Sequence, residues 1–229
     1  MLRPRLGVNY PLRGADHPFH RAKLGIPDDA IVIGAFVTAL KLSRRCLALW
    51  RDVLARVPRA KLAFSPVAPA HRPVYARLAA AAGIARERVV FLPQGRGDEE
   101  NQARYELVDV VLDPVPYGGV NGTLEALDMG VPVVTLVGKR HGERSSYSIL
   151  TNLGVTATIA QTGPEYVGIA VRLAEDAAFM RDVRAAIRAG VARSPLTDRV
   201  AHTRALERAY LAALAARAPD VMTATLSRP

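Results

Sequence analysis

Cysteine is nearly absent from this 229-residue chain: Cys46 stands alone. That excludes an internal disulfide and any cysteine-based metal cluster, and it fits a reducing cytoplasm. Cys46 lies in a helical stretch with no histidine nearby in sequence, so it is not read as a nucleophile. Long apolar runs are missing too. No stretch of about 18 uncharged apolar residues occurs, and the opening Met1-Leu-Arg-Pro-Arg-Leu-Gly lacks the apolar core of a secretion signal, so a soluble cytoplasmic protein without a membrane span is expected. The five histidines (His17, His20, His71, His141 and His202) have no metal-ligand spacing, and no Asp-X-Asp pair occurs, so no metal and no cofactor are expected.

Charge is the conspicuous excess, at +10. Nucleic-acid binding would cluster Lys and Arg and interleave them with aromatics. Here the arginines are spread at near-regular intervals through helical stretches (Arg72, Arg77, Arg86, Arg88, Arg172, Arg181, Arg184, Arg188, Arg193), often beside alanine. No nucleic-acid partner is expected, although attraction to anionic ligands is compatible with this balance.

With 50% hydrophobic residues the chain can bury one α/β core and carry a helical extension. Residues 1–25, rich in Pro, Gly, Arg and His, read as a linker or boundary segment. Residues 30–37 form a continuous apolar run after the turn Pro27-Asp28-Asp29, as in a strand covered on both faces. Helix and strand patterns then alternate: helices at 46–56, 73–82, 99–107 and 121–129, and strands at 60–64, 88–92, 108–112 and 131–136. Such alternation predicts βαβ units and an α/β, Rossmann-like, doubly wound parallel sheet. After Gly138 the pattern turns helical (145–153, 164–174, 178–189 and 202–215), giving a C-terminal helical extension. The domain is expected over 26–217, with a flexible tail at 218–229.

The densest chemistry lies in Val110-Val-Leu-Asp-Pro-Val-Pro-Tyr-Gly-Gly-Val-Asn-Gly-Thr-Leu-Glu-Ala-Leu-Asp-Met-Gly-Val-Pro-Val-Val-Thr135, which reads strand, glycine-rich loop, helix, strand. Gly118, Gly119 and Gly122 would let backbone approach a ligand closely, and Asn121 would cap the helix. A helix start at the carboxyl end of a parallel strand is an anion site suited to a diphosphate. One turn inside, Glu125 could accept hydrogen bonds from the vicinal hydroxyls of a ribose. Such a turn alone serves purely structural ends in many α/β proteins.

Joined to other segments in order, it resembles the C-terminal catalytic half of the O-GlcNAc transferase family, including the bacterial adhesin N-glucosyltransferases. The segments are Leu24-Gly-Ile-Pro-Asp-Asp-Ala-Ile-Val32, Lys41, Leu47-Ala-Leu-Trp50, Arg56-Val-Pro58, Arg88-Val-Val-Phe91, the glycine-rich stretch, Val134-Thr-Leu-Val-Gly138, Arg144, Leu153-Gly154, Glu165-Tyr166, Ser194-Pro-Leu196 and Leu206-Glu-Arg-Ala-Tyr210. The resemblance implies the C-terminal half of a GT-B glycosyltransferase that takes a UDP-sugar and glycosylates a protein acceptor. It implies that Lys41 contacts the donor diphosphate and steadies charge on the leaving UDP, that Thr38 contacts the donor, that Asn121, Gly122 and Thr123 form the phosphate cradle, and that Gly119 and Val120 before them also bind the UDP-sugar. Glu125 falls on the ribose position. Arg96, Gly97, Asn101 and Arg104 fall on the uracil-contacting loop and helix.

Two departures bear on function. Val120-Asn121-Gly122 stands where O-GlcNAc transferases have His-Thr-Thr, which leaves UDP-GlcNAc and UDP-glucose both open as donor, and Asn101 stands where a uracil-stacking histidine is usual. The preceding Rossmann half of the family has no counterpart in this sequence, so an N-terminal half acting in cis or in trans is an expected partner. The alternative is a catalytically incomplete remnant that binds UDP-sugar or a partner protein without turnover. His141, near Glu143 and Arg144, is a candidate to approach the donor sugar.

Overall fold

A computed structural model describes residues 19–194, 196 and 198–217. The boundary segment before residue 19 and the tail 218–229 lie outside the described residues. Six parallel strands form the sheet: β1 (Ile31–Phe36), β2 (Ala60–Ser65), β3 (Val89–Phe91), β4 (Val110–Leu112), β5 (Val133–Leu136) and β6 (Ile159–Ala160). Their order is β3-β2-β1-β4-β5-β6. β1 sits at the centre, in register with β2 from Ile31↔Ala60 to Phe36↔Ser65 and with β4 at Ile33↔Val110 and Gly34↔Val111.

Eight helices are described: α1 (Arg44–Arg56), α2 (Arg72–Ala81), α3 (Asp98–Ala103), α4 (Asn121–Asp128), α5 (Ser145–Leu153), α6 (Gly163–Glu175), α7 (Ala177–Arg193) and α8 (Arg199–Arg217). Right-handed crossovers that run outward from β1 in one direction and from β4 in the other send their helices to opposite faces. The doubly wound expectation is therefore met. The strands are near-continuously apolar because both faces are covered: Val32, Ile33, Ala35, Leu62, Ala63, Phe64, Val133 and Val134 are all buried.

Three details differ from the sequence reading. The helix expected over 99–107 is α only to Ala103 and closes as a 3-10 turn over Arg104–Leu107. β6, two residues long, was not foreseen, since a pair of apolar residues carries no period. Phe19, inside the segment read as linker, is buried in the core.

Polar contacts buried within the core position the carboxyl edge of the sheet. The Trp50 indole N–H on α1 donates to the Tyr166 hydroxyl on α6 at 3.0 Å, and that hydroxyl donates to the Asp113 carbonyl, just past β4, at 2.9 Å. Two helices thus fix the exit of one strand. Helix α7 crosses α5 where Gly190 leaves no room: a Cβ there would press into the Leu153 carbonyl. Gly190→Ala is expected to cost about 1–3 kcal/mol through forced separation of the two helices, read as a lowered melting temperature. Among the described residues, no helix is long and apolar enough to cross a membrane.

Candidate functional site

The carboxyl ends of β1, β2 and β4 share one edge, as parallel strands must, so the loops leaving them meet there. After β1 the chain makes a 3-10 turn, Ala39–Lys41, which Thr38 enters in an extended conformation with its side chain exposed. The turn delivers Lys41 to the loop after β4: its ammonium donates to the Gly118 carbonyl at 3.3 Å and lies 4.4 Å from the centre of the Tyr117 ring. Ser43, which caps α1 by accepting from the Cys46 amide at 3.0 Å, also donates to the Val115 carbonyl. The two loops are joined at two points.

Beneath them lies Asp113. Its carboxylate accepts from the Gly119 amide at 2.7 Å and from the Thr135 hydroxyl at 2.8 Å. Burial pushes this carboxyl up to about 6, against the pull of those hydrogen bonds and of the Lys41 charge. The carboxyl also explains two of the glycines. A Cβ on Gly118 would stand 2.9 Å from Asp113 Oδ2, and one on Gly119 would stand 3.0 Å from Thr123 Oγ1 and 3.3 Å from Asp113 Oδ1. Gly122 has ordinary contact distances instead, nearest the Phe36 Cβ at 3.5 Å.

Helix α4 begins differently from the sequence expectation. Asn121 does not cap it: Val120 occupies the cap position, without a side-chain acceptor, and Asn121 is the first helical residue. The first amide taken up is that of Leu124, bonded to the Val120 carbonyl at 3.0 Å. Among the described residues, the amides of Asn121, Gly122 and Thr123 have no acceptor, and they face outward from a helix start whose dipole favours an anion. The Thr123 hydroxyl is buried 2.8 Å from that of Ser146, which itself donates to the Gly119 carbonyl at 3.0 Å. Ser146 therefore pins both sides of the loop.

Glu125, one turn along α4, accepts from the Tyr105 hydroxyl at 2.9 Å. Tyr105 stacks on Phe36 with ring centres 3.9 Å apart. Arg104 is buried, which sequence alone did not anticipate for a charged residue near a helix start. Its guanidinium donates to the Ser65 hydroxyl at 3.1 Å and the Asn101 carbonyl at 2.7 Å, and lies 5.6 Å from the Phe36 ring. Burial lowers its pKa. Asn101 accepts from the Gly95 amide at 2.9 Å, while Arg96 is 81% exposed and paired with Glu100 at 3.1 Å. Gly97 caps α3 with extended backbone. Lys41, Arg104, Glu125 and the 119–123 loop thus meet around the carboxyl ends of β1, β2 and β4. Thr38 leaves β1 at the same edge, and the Arg96–Gly97 turn packs against Glu100 and Asn101 at the start of α3. His141 opens a 3-10 turn whose Gly142 carbonyl accepts from the Gly118 amide at 3.0 Å, so that exposed histidine flanks the same loop.

Asp113, Tyr105, Tyr117 and Ser146 were missed as site residues. For Asp113 a signal existed: an acid directly after an apolar strand, where burial demands partners. The other three carry no local mark.

Residues 19–206 match the family model described as glycosyl transferase family 41. The chain belongs to that family. Among its relatives is the probable UDP-N-acetylglucosamine–peptide N-acetylglucosaminyltransferase SPINDLY of Oryza sativa subsp. japonica, 33% identical over 183 residues, a match covering 79% of this chain and 20% of the relative. The Caenorhabditis elegans UDP-N-acetylglucosamine–peptide N-acetylglucosaminyltransferase is 32% identical over 73% of this chain and 14% of its own length. Among solved structures, a Thermobaculum terrenum O-GlcNAc transferase superposes with a TM-score of 0.72 at 34% identity, covering 80% of this chain and 36% of that one. The family 41 chain described here spans about one fifth of the length of the first of these relatives. Its fold is that of GT-B glycosyltransferases, and it is O-GlcNAc transferase-like.

Proposed function

We propose that this chain is the donor-binding half of a protein glycosyltransferase, holding UDP-GlcNAc or UDP-glucose while the sugar passes to a protein side chain. The observation that carries the reading is the Lys41 ammonium, bridged to Gly118 beside the uncapped start of α4. An ammonium and three free amides there suit a diphosphate. In this reading the amides of Asn121, Gly122 and Thr123 receive phosphate oxygens, and Lys41 offsets the negative charge that grows on the leaving diphosphate as the glycosidic bond breaks. Glu125, oriented by Tyr105, takes the ribose hydroxyls, and the uracil lies toward Arg104, Asn101 and the Arg96–Gly97 turn. The activities named for the rice and nematode relatives support a UDP-sugar donor and a peptide acceptor.

Donor binding is read as independent of divalent metal, because the sequence carries no Asp-X-Asp pair. The acceptor cleft is read as completed by an N-terminal Rossmann half, in cis or in trans, and the setting as cytoplasmic. Titration calorimetry of the chain with UDP, UDP-GlcNAc and UDP-glucose, without divalent metal, tests the proposal. Saturable binding at one site with a preference between the sugars is the expected result. Absence of UDP binding overturns the donor assignment, whereas UDP binding without turnover after an N-terminal half is supplied favours the remnant.

A further inference from the structure

A second cavity, of about 400 Å³, runs alongside the edge strand β3, two strands removed from β1 and separate from the loops described above. Four cationic side chains line it, Lys23, Lys61, Arg72 and Arg86, together with a single carboxylate, Glu87. They come from four separate places in the chain: the turn before β1, β2, the first residue of α2 and the turn before β3. The fold thus gathers Arg72 and Arg86, evenly scattered in the sequence, with two lysines around one cavity.

The geometry fixes three of these cations without neutralising them. Lys61 donates to the Glu87 carbonyl at 2.7 Å and Arg86 to the Val89 carbonyl at 3.2 Å. Both acceptors are neutral backbone groups. The guanidinium carbons of Arg72 and Arg86 lie 6.0 Å and 5.4 Å from the centre of one ring, that of Phe91, so two like charges are held beside a single aromatic group. Among the described residues, Lys61, Arg72 and Arg86 form no ion pair with any carboxylate. Like charges gathered around one cavity repel, and an anion bound there converts that repulsion into attraction. Guanidinium groups present paired donors matched to phosphate oxygens, and the aromatic ring and carbonyls set their orientation in advance.

We infer that this cavity is a binding site for a compact polyanion carrying two or more phosphate groups, distinct from the donor site. Its volume falls within the range of small-molecule pockets. The inference does not rest on the proposed donor function, because no residue is shared.

The test is titration of inorganic pyrophosphate at constant ionic strength into the Lys41→Ala chain, in which the donor cradle is weakened. One saturable site is expected, and adding Arg72→Gln with Arg86→Gln is expected to weaken it at least tenfold. Both arginines are exposed, so the melting temperature should stay within a few degrees of the parent; Arg72→Gln alone, which removes no hydrogen bond, supplies an independent variant expected to weaken binding several-fold. Absence of saturable binding in the Lys41→Ala chain overturns the site. Binding indifferent to both arginine variants also overturns it, assigning the affinity to other surface charge.

Discussion

Asp113→Ala is expected to lower the melting temperature at pH 5 by about 6–12 °C and to abolish UDP binding. The carboxyl is the acceptor for the half-buried Gly119 amide and the buried Thr135 hydroxyl. Removing it strands the buried Thr135 hydroxyl, at about 1–3 kcal/mol, leaves the half-buried Gly119 amide without its acceptor at a smaller cost, and opens a cavity beside them. A loss of about 3 kcal/mol shifts the midpoint of a chain this size by the stated amount. The binding defect has a separate cause: without the carboxyl, the Gly119 amide loses its acceptor, and the tight path that sets the start of α4 is left to the contacts of Lys41, Gly142 and Ser146 with the two glycines. Asp113→Asn separates the two effects, since an amide oxygen can still receive the Gly119 proton while the charge is gone.

The pH dependence of that pair has a defined sign. Burial raises the Asp113 carboxyl from 3.8 to about 6, so between those values the folded chain retains a proton that the unfolded chain has released. This group's contribution to stability is fully present below about 3.8 and is lost as pH rises through about 6. Relative to Asp113→Asn, the wild-type chain should therefore lose stability between pH 4 and pH 7, on the order of 3 kcal/mol in total, since a tenfold change in proton affinity corresponds to about 1.4 kcal/mol. Urea denaturation of both chains across that interval measures it. A flat difference would mean that the carboxyl is not buried as described.

Lys41→Ala carries the second large effect, on binding and not on folding. The ammonium makes one hydrogen bond, to a carbonyl at a loop surface, so thermal stability should change by less than about 1 kcal/mol. A hydrogen bond between an ammonium and a phosphate is worth about 1.5–3 kcal/mol, so UDP affinity should fall by roughly ten- to a hundredfold. Glu125→Gln tests the other end of the ligand: in a chain that also carries Arg72→Gln and Arg86→Gln, affinity for UDP is expected to fall while affinity for pyrophosphate at the same cradle does not. Equal affinity for UDP in both variants and the wild type would remove these two residues from the site.

Much of the sheet was legible because a parallel strand covered on both faces is largely apolar: β1 and β4 are apolar throughout, and β2 and β5 are interrupted only by Lys61, Ser65 and Thr135. The chain's longer helices were legible from period and turn chemistry. β6 escaped because its two residues owe their pairing to Leu136 and Thr135 next door, not to their own pattern. The site was legible in outline through its glycines and the residues around them, but the reasons assigned to them were partly different. Gly118 and Gly119 yield space to Asp113 and Thr123 within the protein, Asn121 starts α4 without capping it, and Arg104 is buried between Ser65 and Phe36. Each of these depends on residues distant in sequence, such as Tyr105 against Phe36, which no local window contains.

The bridge from Lys41 to Gly118 joins residues 77 positions apart, and that separation bears on the order in which the chain acquires its parts. Closing so long a loop costs entropy that the central β1–β4 pairing and the Ser43–Val115 contact offset. A chain arrested after its first three strands would have Lys41 on a finished turn with nothing to meet. Affinity for a diphosphate should thus appear late in refolding, after the helical signal has largely returned.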